Sequence, residues 1–115
     1  MGWRPVTKLR IANESPFYGP GCQQLLSLIR DTGSVRHASE QMGLSYSKAW
    51  RMIRELEAQA GFPVIVRRQG GRAGGAARLT EAGERLLRRY GAYAEACARA
   101  IEAIFLEHFP EEASR

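Results

Sequence analysis

Long hydrophobic runs are missing from this chain of 115 residues. No apolar stretch approaches the ~20 residues that a bilayer-spanning helix needs, so no membrane association is expected. The opening Met1-Gly2-Trp3-Arg4-Pro5 has no apolar signal core, which points to a cytoplasmic protein. Cysteine is scarce: Cys22 and Cys97 stand far apart on apolar helix faces and read as reduced core thiols rather than a disulfide. Histidine is as scarce, and neither His37 nor His108 stands at ligand spacing from a cysteine, so no metal site is expected. No Ser/His/Asp, Cys/His or paired-carboxylate set gathers in an expected cleft. The chain therefore offers no catalytic residues, is not expected to be an enzyme, and implies no cofactor. Internal repeats and low-complexity tracts are absent, and nothing in the sequence demonstrates a small-molecule ligand.

What is present is a globular composition, 44% hydrophobic and 25% charged, with enough length for one core and little room for a second. The net charge of +5 is unevenly placed. Residues 1–44 carry +2 and residues 79–115 carry −2, whereas residues 45–78 set seven cations against two acids, a balance of +5. Such a local excess suggests a polyanionic partner. An ordinary solvated face does not explain the clustering.

Read in order, Val6–Ala12 alternates with a period of two and suggests a strand, followed by a turn region at Asn13–Tyr18. Gly19-Pro20-Gly21 opens a helix that runs to about Thr32, burying Cys22, Leu25, Leu26 and Ile29 and stopping at Gly33. Ser34 caps a second helix over about 35–42, and Gly43 suits a tight corner because a positive φ costs nothing without a Cβ. Ser45 caps a third helix to about Ala60, whose buried face is Ala49, Met52, Ile53 and Leu56. Val64–Arg67 and Ala76–Leu79 bracket the loop Gly70-Gly71-Arg72-Ala73-Gly74-Gly75 as a β-hairpin. Thr80 caps a last helix to about Phe109, Pro110 ends it, and the tail Glu111–Arg115 is expected to fray.

Two short helices meeting at a corner, with cations on the outer side of the second, offer one helix to the DNA major groove. At about 100° per residue, Ser47, Arg51 and Arg54 point away from the buried face, with Lys48 on one flank. Arg51 and Arg54 suit guanine edges or phosphates, and Ser47 and Lys48 suit phosphates; Arg54 has Glu55 and Glu57 as alternative partners. On the other flank, Tyr46 and Trp50 are four apart and expected to stack. Trp50 reads as core. Tyr46 either packs or places its hydroxyl on a phosphate beside Ser45. The hairpin loop lacks the Gly-Lys-Ser/Thr ending of a P-loop. It reads as a wing whose Arg72 reaches phosphate or minor groove and whose flanks carry Arg67, Arg68 and Arg78; the alternative is a loop that touches nothing.

Gly33-Ser34, Ala38, Gly43, Ser45, Ile53, Leu56-Glu57, Gly61, Arg67 and Leu79-Thr80-x-Ala82-Gly83 fall where LysR-type winged helix-turn-helix domains place such residues. Over roughly residues 7–95 the chain more closely resembles the N-terminal DNA-binding domain of ModE-type molybdate-responsive regulators. Ser45-Tyr46-x-x-Ala49-Trp50, the Gly70-Gly71-x-x-Gly74-Gly75 wing and Phe17-Tyr18-Gly19-Pro20-Gly21 carry that resemblance. Ser39 stands where many relatives have Ala; serine is small enough for the corner, and its hydroxyl can bond a carbonyl one turn back. Full-length ModE-type regulators also carry a β-rich molybdate-binding domain, for which a chain of this length has no room. The resemblance thus implies DNA binding and dimerisation, not the ligand.

The expected fold is mainly α with a small β-hairpin wing. One winged helix-turn-helix domain fills residues 1–115: a DNA-binding core with its wing over 7–80, a long C-terminal dimerisation helix over 80–109, and the tail. A helix of ~30 residues spans roughly 45 Å, more than so small a body covers. Its first half (Leu86, Leu87, Tyr90) should fold over the first helix, leaving Tyr93, Cys97, Ile101, Ile104 and Phe105 as a homodimer seam. The expected function is sequence-specific binding of double-stranded DNA by a homodimeric transcriptional regulator, with the helix at about 45–60 in the major groove. The alternatives are a winged-helix module that binds another protein and an oxyanion (molybdate)-responsive sensor.

Overall fold

The long last helix gives the molecule its shape, which measures 58 × 29 × 21 Å along its principal axes. The structure, a computed structural model, describes residues 2–67 and 76–114. In chain order the elements are β1 (Ile11–Ala12), β2 (Pro16–Tyr18), α1 (Pro20–Thr32), α2 (Val35–Gln41), α3 (Tyr46–Ala60), β3 (Ile65–Arg67), β4 (Ala77–Leu79), α4 (Glu81–His108) and α5 (Pro110–Ala113). β1 pairs antiparallel with β2, and β3 with β4.

The helix starts follow from their capping residues. Ser34, Ser45 and Thr80 each sit in extended backbone, and their hydroxyls accept the amides of His37, Lys48 and Gly83. Gly43 turns the corner between α2 and α3 with φ at 70°, where any Cβ would be strained. The buried Ser39 hydroxyl donates to the Arg36 carbonyl at 2.8 Å, so the polar atom lost from solvent at the corner is satisfied locally.

One core joins every element that positions the outer face of α3. Leu25, Leu26 and Ile29 of α1 meet Val35 and Ala38 of α2, Ala49, Ile53 and Leu56 of α3, and Leu87 and Tyr90 of α4. Val64, Ile65, Ala77 and Leu79 close it from the hairpin. Each large side chain buried here stabilises by roughly 1.5–3 kcal/mol. Met52, expected among the buried residues of α3, lies half-buried at the margin, as does Cys22 on α1. Cys22 and Cys97 are both free thiols.

Two polar joints tie α4 to the body. Gln23 accepts from the Tyr18 hydroxyl and donates to the Leu87 carbonyl, while the Tyr90 hydroxyl donates to Leu9 O at 2.8 Å. The Tyr18 and Tyr90 rings meet edge to face at 5.0 Å between these bonds. The first half of α4 thus folds over α1, as the apolar pattern of Leu86, Leu87 and Tyr90 implies.

The ends of the chain depart from expectation. Of the strand expected over Val6–Ala12 only Ile11–Ala12 is paired, and its partner Pro16–Tyr18 lies in the expected turn region. Period-two alternation reports extended backbone, and here most of that backbone has no neighbouring strand. It lies along α4 instead: Leu9 takes the Tyr90 bond, and Trp3 N donates to Glu112 O at 2.9 Å beside Phe109. Of the tail expected to fray, Glu111–Ala113 belong to the helical turn α5, held at Glu112 by that same bond.

Candidate nucleic-acid interface

The three sides of α3 differ in what they touch. Ala49, Ile53 and Leu56 are buried, whereas Ser47, Lys48, Arg51 and Arg54 are exposed on the opposite side. Ion pairs among the described residues join only Arg30 to Asp31 and Arg99 to Glu95. Arg51, Arg54 and Lys48 therefore carry charge with no carboxylate of the described residues in salt-bridge range. Glu55 and Glu57 do not pair with Arg54. The Ser45 hydroxyl accepts the Lys48 amide at 3.1 Å and keeps its O–H to donate.

Glu57 has another task, which sequence reasoning missed. Its carboxylate accepts the amides of Val64 at 2.7 Å and Ile65 at 3.3 Å, fastening the start of β3 to α3. Thr80 completes the base of the hairpin: its hydroxyl donates to Pro63 O at 2.7 Å and its amide to Val64 O at 2.9 Å. Gly83 belongs to the same joint. A Cβ there would stand 2.4 Å from Val64 O, so α4 starts this close to the hairpin only because residue 83 has no side chain. Ala77 N donates to Gly33 O at 2.9 Å, tying β4 to the start of α2.

The hairpin register then decides where its arginines go. Ile65 faces Leu79 and Arg67 faces Ala77, and these four share the inward face, while Val66 and Arg78 share the outward one. Arg67 and Arg78 thus leave the hairpin on opposite faces instead of lining it together. The Arg67 guanidinium lies 4.3 Å from the Trp50 ring centroid. Arg68, Arg72 and the glycine loop lie outside the described residues.

The remaining flank of α3 is aromatic. Tyr46 and Trp50 meet edge to face, centroids 6.4 Å apart and planes at 81°, the expected pair. Trp50, expected in the core, is half-buried at its margin. Arg54 stands 5.9 Å from the Trp50 centroid, and Arg36 of α2 stands 4.4 Å from that of Tyr46. Arg36 was not among the sequence candidates; only the folded corner reveals its proximity to α3.

On α4, Tyr93 and Ile104 are 49% and 55% exposed, while Cys97, Ile101 and Phe105 are half-buried. At the end of this expected seam the Phe105 ring meets Phe109, which in turn meets Trp3 of the N-terminal segment. No helix among the described residues is long and apolar enough to cross a membrane.

A helix pair with a tight corner, a hairpin fastened to its second helix and an outward cationic face define a winged helix-turn-helix domain. The chain belongs to the family of bacterial regulatory helix-turn-helix proteins, lysR family, whose profile matches residues 24–84. The resemblance to ModE-type regulators also holds. The chain is 39% identical over 79 residues to the molybdenum-pterin-binding protein MopB of Rhodobacter capsulatus, covering 69% of this chain and 29% of that protein. It is 32% identical over 94 residues to the transcriptional regulator ModE of Yersinia pestis, covering 82% and 36%. It is also 32% identical over 88 residues to the DNA-binding transcriptional dual regulator ModE of Escherichia coli (strain K12), covering 76% and 34%. The chain spans about a third of the length of these relatives.

Proposed function

We propose that this chain binds double-stranded DNA in the cytoplasm as a homodimer and regulates transcription by binding, not by catalysis. In this reading α3 enters the major groove. Arg51 and Arg54 reach base edges or phosphates, and Ser45, Tyr46, Ser47 and Lys48 hold the backbone at the start of the helix. Arg67, Arg68, Arg72 and Arg78 bring charge from the wing. The observation that carries the reading is the exposed side of α3 whose Lys48, Arg51 and Arg54 form no ion pair with a described carboxylate, backed by a buried side that anchors it. The family profile and the similarity to regulators named ModE support it.

Dimerisation runs through the second half of α4, with Tyr93, Cys97, Ile101, Ile104 and Phe105 in or beside the seam. The exposure of Tyr93 and Ile104 supports that placement. Two-fold symmetry then predicts a palindromic site with half-sites about 34–36 Å apart, or a multiple of that. The test is selection of bound sequences from a random duplex pool, followed by fluorescence anisotropy across a salt series. The reading expects a palindromic consensus and an affinity that falls steeply with salt, as counterions are released from each neutralised phosphate. An absence of binding at low salt contradicts it.

A further inference from the structure

We infer that Trp50 is a positioning residue that holds Arg67 of the wing and Arg54 of α3 on its ring, so that wing and reading helix meet a duplex as one unit. The inference rests on the DNA-binding reading above for its purpose, but on geometry for its existence. Arg67 lies 4.3 Å and Arg54 5.9 Å from the Trp50 centroid, both inside the ~6 Å range of cation–π attraction. Trp50 also meets Tyr46 edge to face, and Tyr46 lies 4.4 Å from the Arg36 guanidinium. Two aromatic rings on one flank of α3 thereby collect guanidinium groups from α2, α3 and β3.

The chemistry suits a group that must be held and still bind. A guanidinium held over a ring by cation–π attraction keeps its N–H donors, arranged in the fork that matches a phosphate. The attraction therefore orders the side chain without consuming a donor. A lysine ammonium has no such face and would be charged but loose.

The indole itself is the second observation. Trp50 Nε1 is buried and has no hydrogen-bond partner. A leucine or phenylalanine would fill this margin of the core without orphaning a donor, and buried donors are rarely left unpaired. The ring with the strongest attraction for cations is present at the cost of that bond. The hairpin register reinforces the point, because it turns Arg67 inward towards α3 while Arg78 faces away.

The test uses the full chain in a Trp3→Phe background, so that Trp50 is its sole fluorophore of this kind. Without DNA, Arg67→Ala and Arg67→Lys should each shift or brighten the Trp50 emission, since both remove the stacked guanidinium. With a selected duplex, Trp50→Leu and Arg67→Ala should each weaken binding about tenfold, and the double variant should lose little more than either alone. Trp50→Phe, which keeps a ring, should fall between the parent and Trp50→Leu. Unchanged emission in both Arg67 variants, or additive losses in the double variant, would overturn the inference. If the parent binds no duplex at all, the DNA-binding reading fails, and the emission result alone still decides whether the stack exists.

Discussion

The two ends of this molecule solve opposite problems. At the helix-turn-helix end, α1, α2, α3 and the hairpin bury their apolar sides on one another, and Ile53 has no exposed surface. At the far end of α4 the stripe continues, but Ile104 is 55% exposed and Trp3 and Phe109 are 58% and 41% exposed. An apolar pattern of one periodicity thus does two jobs along one chain. The first end stabilises the fold of a single copy. The second meets the N-terminal segment at Trp3 and Phe109 and leaves apolar surface exposed, the surface that the proposed dimer would cover.

The sharpest way to break this comparison is to truncate one isoleucine at each end. Ile53→Ala should cost about 2–5 kcal/mol of folding stability, read as a fall in thermal midpoint. Ile104→Ala should cost well under ~1 kcal/mol in folding, since the removed atoms are half in water already. Its effect should appear instead in sedimentation, as a shift towards monomer. Equal losses of stability at the two sites would erase the distinction.

A joint between the regions gives the next effect. Gly83→Ala drives a methyl into the Val64 carbonyl, which also accepts the Thr80 amide, so relief of the clash disturbs that bond. The expected cost is about 1–3 kcal/mol by denaturant titration. A neutral outcome would mean that α4 moves freely on the hairpin.

A smaller effect tests the other joint through pH. Burial, then the nearby Cys22 and Tyr90, push the Tyr18 phenol well above its ordinary pKa of 10.0. The unfolded chain therefore releases this proton first. Stability held below about pH 10 should decline as pH rises beyond it. Tyr18→Phe should flatten that decline while costing about 1 kcal/mol at neutral pH for the lost bond to Gln23. An alkaline limb as steep as the parent's would contradict the assignment.

Most of the helical frame was legible, because caps and glycines act locally. Ser34, Ser45 and Thr80 start their helices where the sequence places them, and the buried side of α3, Met52 apart, follows from spacing alone. What escaped was tertiary. Nothing local says that the extended N-terminal residues lie along α4 instead of pairing, or that Pro110–Ala113 is tied to Trp3. Glu57 looks like one more charge on a wet helix until the chain returns seven residues later with two amides needing an acceptor. Arg67 and Arg78 look equivalent until the register of β3 and β4 separates them. Arg36 acquires its place beside Tyr46 only through the corner at Gly43.

The central claim is that the exposed cationic side of α3 reads a duplex, and Arg51 tests it most directly. Affinities of the parent, Arg51→Ala and Arg78→Ala should be measured on the selected site and on each of its single-base variants. Arg51→Ala should relax preference at one base-pair position, losing about 1–3 kcal/mol of discrimination there, while Arg78→Ala weakens every sequence alike. A uniform loss in both variants would contradict the assignment of α3 as the reading helix.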